Sequence, residues 1–369
     1  FTTEFWLLWT TVMGSLPQSS AIEMRRYMNR FLQLLPDLSV MTHILRTRFN
    51  QYETIIEPMV AWLRPQGVNF LTNAFVNDIG LAPSSGRITA NRLNYERGGA
   101  DSSVDVAPED VVLVTLGSQT ADLSVGSMTE APRPRRSGRG WALWQRLSQG
   151  RLDFGNPDVF FGTSHVPDPQ WVTFTVTTTG TEFSEQMTAL TGSEPGTGGL
   201  VTLKDSSWLV TVTIFYQPEV VAQPPGTTLW WGFLMYPGRN GDFVKKPAAA
   251  CTGAEILEEV LRQLRFEPQL DAIMASSVCI PCDLPYANSV WLPRRRSDRP
   301  RVVPEGATNL GFLGQFAEVP RDVVFTIEYS ARTAWEAIHR LLRRGPAPPP
   351  VYQGQHHPAA LLAALRTVA

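Results

Sequence analysis

A chain of 369 residues with 43% hydrophobic and 18% charged residues has an ordinary globular composition, long enough for two domains with substantial cores, which excludes disorder as the default. Its formal charge of -2 excludes a global attraction to nucleic acid or anionic lipid, so such binding must come from a local patch. No apolar run approaches the roughly 20 residues of a membrane-spanning helix, so a cytoplasmic place is expected, with membrane contact at most peripheral.

Phe1 stands where an initiator Met would, and Phe5-Trp6-Leu7-Leu8-Trp9 opens in mid-element without the basic region of a signal peptide. The chain is therefore expected to be a piece of a longer one. Ser20-Ala21-Ile22-Glu23 reads as a capping box, with hydroxyl and carboxylate satisfying the first free amides of a helix. Beyond it Met24, Tyr27, Met28, Phe31 and Leu35 recur at three-to-four spacing and predict one apolar stripe, with Tyr27 pointing inward. A second helix is expected from about Tyr52 through Leu63, with Gly67 after its end.

Strand signals follow at Val68 to Val76, Arg87 to Tyr95 and Val111 to Thr115. The last is continuous and apolar and ends in Gly117-Ser118, as a buried parallel strand does on reaching a ligand-facing loop. A low-complexity linker follows, in which Arg133, Arg135, Arg136 and Arg139 among Pro, Ser and Gly predict a solvated surface loop. Trp171 to Thr177, Leu200 to Leu203, Trp208 to Phe215 and Thr228 to Met235 read as strands, and the Asn240-Gly241 pair as a tight hairpin. Thr252-Gly253-Ala254-Glu255 is a second capping box, opening a helix through Leu264. Asn309 to Phe316 and Val323 to Ile327 are expected strands, Ser330 to Leu342 a helix, Gly345 to Pro350 a stiff linker, and Ala359 to Val368 a final short helix.

Cys251, Cys279 and Cys282 form no even framework and are expected as free thiols in a reducing compartment. The CxxC spacing of the last two lacks the second ligand pair that zinc requires, so no metal site is expected. Arg294, Arg295, Arg296, Arg299 and Arg301 form a second basic group. Two readings stay open for it: a solvated structural role, or, with the amphipathic tail, a platform for an anionic membrane.

The stretch from Asp298-Arg299-Pro300-Arg301 through Asn309-Leu310-Gly311-Phe312-Leu313-Gly314-Gln315-Phe316 to Glu328-Tyr329-Ser330-Ala331-Arg332-Thr333-Ala334 resembles the oleate hydratase family, also called myosin-cross-reactive antigens. Supporting blocks lie in the same order along the chain: Glu23 to Tyr27, Asn50-Gln51-Tyr52, Phe154 to Pro157, Gly196 to Gly199, Lys204-Asp205-Ser206 with Trp208, and Cys251-Thr252-Gly253. The resemblance covers Phe1 to about Leu342.

The resemblance implies an α/β fold, an incomplete flavin amine-oxidase-like architecture with an FAD-binding domain interleaved with a substrate domain. It implies a helical part of the substrate domain over 1–48, part of the FAD-binding domain over 49–125, a linker over 126–140 and a substrate-binding domain over 141–300. A return of the FAD-binding domain would span 301–342, and a Pro-rich linker and tail helix 343–369. It further implies hydration of the cis double bond of a long-chain unsaturated fatty acid with FAD as a non-redox organiser. Homodimers are frequent among such proteins, and no nucleic acid is involved.

Adding water to an isolated alkene needs an acid to protonate one carbon and a base to orient or deprotonate the water. A tyrosine on an apolar wall suits the first task, because its hydroxyl can face a greasy channel while its ring packs like core. Taken alone, an inward tyrosine on a helix is a core residue; the resemblance makes Tyr27 the proton donor. The base it implies, a glutamate in an RGGREM-like segment, and the Gly-rich dinucleotide loop do not occur in the chain. Flavin contacts would remain at Gly314, Gln315, Glu328, Tyr329, Ser330 and Thr333, for which a plain capped strand-to-helix turn is the alternative. Gln51 and Thr213 match the carboxylate-holding positions, whereas Phe215, Glu219 and Leu116 replace the expected Asn, His and Asn. A glutamate repels a carboxylate, which favours a second reading, a non-catalytic lipid-binding relative. A third is a flavin oxidoreductase of the amine oxidase class.

Overall fold

The computed structural model describes residues 3–38, 45–82, 86–162, 169–324 and 326–368. The chain opens with helices α1 (Glu4–Met13) and α2 (Ala21–Phe31). α1 ends on Gly14 at φ 73°, where an added Cβ would stand 3.0 Å from the Trp171 ring, so only glycine allows both the left-handed turn and the close approach. At the start of α2 the Ser20 hydroxyl accepts from the Glu23 amide at 3.4 Å, but the expected reciprocal bond is not made. The Glu23 carboxylate turns to arginines from a distant segment, an interaction that four-residue spacing does not reveal.

A π-helical turn over Tyr52–Ile56 runs into α3 (Glu57–Leu63), and the passage stops on Gly67 at φ 86°. The strand expected from Val68 starts only at β1 (Ala74–Ala82), since Asn73 sits at φ 54° and a left-handed residue cannot continue a pleat. β1, β2 (Thr89–Arg97) and β3 (Ala100–Asp105) form a three-stranded antiparallel meander. Next come β4 (Val112–Thr115), β5 (Ser124–Val125), α4 (Arg139–Ser148) and α5 (Asp158–Phe161). Arg133, Arg135 and Arg136 lie exposed in an irregular stretch, whereas Arg139 opens α4 and stacks over Phe75 at 4.1 Å.

The second half begins with β6 (Trp171–Thr179), α6 (Glu182–Thr191), β7 (Val201–Leu203), β8 (Val210–Ile214) and β9 (Thr227–Leu234). The Asn240-Gly241 pair makes no tight hairpin: neither residue has positive φ, and Asn240 bridges Pro247 across a wider loop. α7 (Gly253–Gln263) carries the complete capping box between Thr252 and Glu255. After α8 (Leu270–Ser276) and β10 (Ser277–Leu284), the six strands lie in the antiparallel order β5-β10-β6-β9-β8-β7. α7 covers this sheet with Ile256, Leu257, Val260 and Leu261, all fully buried and each contributing roughly 1.5–3 kcal/mol.

β11 (Leu310–Leu313) pairs in parallel with β4, Leu310 opposite Val112 and Leu313 opposite Thr115. The strand expected over Val323 to Ile327 does not form: Thr326 caps α9 (Ile327–Leu342), accepting the Tyr329 amide at 3.2 Å. Phe325 lies outside the described residues. α10 (Pro358–Val368) closes the chain. Trp141, Trp144, Phe154 and Phe160 pack with Phe312 and Phe316 in a first core, while a second core fills the six-stranded sheet. Residues from 141 to 161 thus pack with the C-terminal return rather than with the sheet that follows them. No helix of the described residues is long and apolar enough to cross a membrane.

Candidate active site

One face of α2 presents Glu23, Arg26, Tyr27 and Arg30 over two turns to the segment around Trp291 to Arg332. Tyr27 is fully buried, its ring centroid 4.2 Å from that of Trp291 and 6.0 Å from that of Phe31. The inward orientation read from the stripe is therefore what the fold adopts, in an aromatic wall.

Beside Tyr27 lies a buried charge network. Glu23 is fully buried and accepts from Arg294, and from Arg299 Nη1 at 3.2 Å, while Arg26 donates to Glu318 at 2.5 Å and Arg294 to Glu318 at 3.2 Å. Burial pushes the Glu23 carboxyl up, but Arg299, Arg294 and Arg26 outweigh it and hold it below the usual carboxylate range. Glu23 is thus a fixed anion, poorly suited to take a proton. Arg294 and Arg299 have interior side chains, which corrects their reading as solvated charges, whereas Arg295, Arg296 and Arg301 of the group are exposed. Sequence reasoning missed this network; the signal available was a pair of arginines flanking Asp298, itself buried.

At the strand-to-helix passage, Gly314 follows β11 at φ 80° and its amide donates to Thr333 Oγ1 at 3.0 Å. Thr333 Oγ1 also donates to Ser330 O at 2.7 Å and lies in the second turn of α9. The Tyr329 hydroxyl donates to Ala317 O at 2.5 Å and accepts the Val319 amide, and burial raises its pKa strongly. Gln315 donates to Val324 O at 3.2 Å. Glu328, in the first turn, is bound by Arg30, and Ser330 is exposed. These residues do not fit the pyrophosphate of a dinucleotide. Such a group needs free amides at a helix start, and here Thr326 takes one amide while the Glu328 carboxylate opposes an anion. The polar atoms of Tyr329 and Thr333 are spent inside the protein.

Gln51 is exposed at the start of the π-helical turn. Its neighbour Asn50 donates its amide to Glu219 O at 2.8 Å, and Arg46 donates to the carbonyls of Gly196 and Gly198, both at 3.1 Å. Gly198 and Thr213 line a cleft of about 210 Å³ with Met187 and Leu200, and Gln51 is not among its walls. Burial and the nearby Glu53 raise the pKa of Glu219. The cleft is smaller than the roughly 300–1,000 Å³ usual for a small-molecule site. Tyr27 is not among the walls of this cleft. The Leu116 side chain is buried in the first core, where it makes apolar contact only.

The cysteines are free. Burial pushes Cys251 and Cys279 up to about 12 and also raises Cys282, so thiolate chemistry is suppressed. Cys279 and Cys282 lie three positions apart on β10, hence on opposite faces. Among the described residues no three His, Cys, Asp or Glu side chains gather so as to hold a metal.

This arrangement defines a mixed α/β protein whose C-terminal return closes over a helix carrying an enclosed tyrosine. The chain belongs to the MCRA family, whose model matches residues 1–339. It is 35% identical over 353 residues to an oleate hydratase of Streptococcus pyogenes serotype M49 (strain NZ131), covering 93% of this chain and 60% of that protein. It is 33% identical over 358 residues to a linoleate hydratase of Lactiplantibacillus plantarum, covering 90% of this chain and 62% of that one. The chain thus spans about three-fifths of the length of these curated relatives. A crystal structure of an oxidoreductase from Methanosarcina mazei overlaps 92% of this chain and 71% of its own at 13% identity, and its TM-score of 0.38 supports no argument.

Proposed function

We propose that this chain forms part of a hydratase that adds water to the cis double bond of a long-chain unsaturated fatty acid, oleate to hydroxystearate being the reference reaction. The observation that carries the reading is an identity of 33–35% to oleate and linoleate hydratases over at least 90% of the chain; the enclosure of Tyr27 in an aromatic wall supports it. Tyr27 gives its phenolic proton to one alkene carbon as cationic character develops on the other, and the water oxygen bonds to that second carbon. The proton released by water goes to a base, and Glu23, pinned by arginines, is not that base. Because the ring is enclosed, Trp291 or Phe31 must move to admit the alkene. Thr213, at the Gly198 cleft, and Gln51 are the residues proposed to hold the carboxylate end.

The domain reading follows the same proposal: residues 49–125 and 301–342 form parts of one interleaved unit, which the parallel pairing of β4 and β11 supports, and within 141–300 the six-stranded sheet from β6 onward forms the substrate side, while 141–161 pack on the C-terminal return. FAD dependence is proposed for the family-length protein, with the holding groups sought in the two-fifths of the relatives' length that this chain does not span. A second reading, a non-catalytic lipid binder, is favoured by Glu219, which stands where the resemblance implies a head-group His.

Incubation of the family-length protein, which supplies the segments this chain does not span, with oleate and FAD, followed by mass spectrometry in ¹⁸O-water, tests the reaction: hydroxystearate carrying the label is expected, and its absence from oleate, linoleate and palmitoleate alike favours the lipid binder. Tyr27→Phe is expected to lower turnover about 10²–10⁴-fold while leaving thermal stability nearly unchanged, because the ring still packs. Undiminished turnover would remove Tyr27 from the mechanism.

A further inference from the structure

Between α2, the loop before α9 and the tail lies a cleft of about 940 Å³, into which Arg25, Arg26, Arg30, Arg296, Arg321 and His356 converge, with no Asp or Glu in its lining. The guanidinium groups fall into two sets. Arg26 and Arg30 are matched by Glu318, Asp322 and Glu328 behind the wall. Among the described residues Arg25 and Arg321 have no carboxylate partner, and Arg296 reaches Glu318 only at 4.0 Å, where Arg26 and Arg294 already bind. Arg321 is also held at φ 69°, a left-handed conformation uncommon for a non-glycine residue and found preferentially where a side chain must be aimed.

The tail builds the opposite wall and is anchored there. Trp335 Nε1 donates to Pro346 O at 2.7 Å and Arg332 to Pro349 O at 2.5 Å, and Gly354 is buried so close to the 3-10 turn Leu32–Asp37 after α2 that an added Cβ would stand 2.7 Å from Gln33 Oε1. The residues beyond 339, which include this wall, lie outside the family match.

We propose that this cleft binds a phosphate-bearing anion. Unmatched guanidinium groups around one cavity place fork-like donors where a tetrahedral dianion offers several acceptor oxygens, a match that a single carboxylate on an acyl chain does not make. The cavity's volume suits a phosphorylated small molecule or a lipid headgroup rather than a bare ion. The inference does not depend on the hydratase reading.

Calorimetric titration of this chain with inorganic pyrophosphate, and pelleting with phosphatidylcholine vesicles with and without phosphatidate, test the site at low ionic strength. Saturable pyrophosphate binding with Kd below about 1 mM is expected for a free phosphate ligand, whereas pelleting only with phosphatidate assigns a lipid headgroup. In either case R25Q/R321Q is expected to weaken binding at least about tenfold and R296Q to weaken it less, while R133Q/R135Q, in the exposed stretch before α4, leaves it unchanged. The proposal is overturned by no saturable binding in either arm, by wild-type affinity in both R25Q/R321Q and R296Q, or by an equal loss in R133Q/R135Q.

Discussion

Among the described residues two glutamates are fully buried, and the protein accommodates them in opposite ways. Glu23, on α2, is neutralised by arginines that come from nearly three hundred residues away along the chain. Glu259, on α7, meets no arginine: its carboxylate accepts the amides of Asp242 at 2.8 Å, Phe243 at 2.9 Å and Val244 at 2.7 Å, from the loop just upstream. The first is a pairing of full charges between distant segments, the second a carboxylate serving as template for a local loop. Desolvating an ion pair costs so much that the pair tolerates no loss of one partner, whereas backbone dipoles hold a carboxylate without leaving an unmatched charge when it is removed.

The contrast is broken most sharply by Glu23→Gln. It leaves Arg294 and Arg299 buried against a neutral amide and is expected to cost about 3–5 kcal/mol in urea unfolding. The same variant supplies a pH test. Because the folded-state pKa of Glu23 lies below its unfolded value, its contribution is complete above the ordinary carboxylate range and is lost as pH falls through the depressed value. The stability gap between wild type and Glu23→Gln is therefore expected to shrink between about pH 6 and pH 3; a constant gap would show that charge is not what Glu23 supplies. Glu259→Gln should cost less, about 1.5–3 kcal/mol, with faster hydrogen exchange at the amides of Asp242 to Val244 as its local signature. Smallest is Thr252→Ala, which removes one side of the complete capping box and is expected to cost about 1 kcal/mol by thermal unfolding. A larger loss there than at Glu259 would reverse the ranking.

The two capping boxes repeat the lesson at shorter range. Ser20 to Glu23 and Thr252 to Glu255 have the same spacing, yet only the second closes, and Glu255 also pairs with Lys246 at 2.7 Å. At the first, three arginines compete for the carboxylate and win, because a full opposite charge in a dry interior outweighs one amide. Local pattern proposed the bond, and tertiary charge withdrew it.

Much of the fold was legible because it depends on neighbours in the chain. The stripe of Met24, Tyr27 and Phe31 turned Tyr27 inward, the glycine stop came at Gly67, and the strands at Trp171, Thr228 and Val112 formed within a few residues of expectation. Short apolar runs were less secure. Val323 to Ile327 carries strand-forming residues, but Thr326 caps a helix, and Val68 to Thr72 finds no strand to pair with. Around the candidate site, sequence could name Tyr27, Gln51 and Thr213 but not the Glu23–Arg294–Arg299–Glu318 network beside the first of them.

By itself, the order of residues determined the helical faces, the caps that depend on one turn, and the family to which the chain belongs. Only the tertiary structure decided that β4 lies beside β11, that two arginines of a basic run point inward, and that the tail walls a cationic cleft. The physical reason is range. Periodicity and capping are set by interactions within about four residues, which a sequence displays directly. Strand partnership and the neutralisation of buried charge are settled by whichever distant segment the collapsed core brings within a few ångströms, and nothing in the spacing of residues along a chain records that meeting.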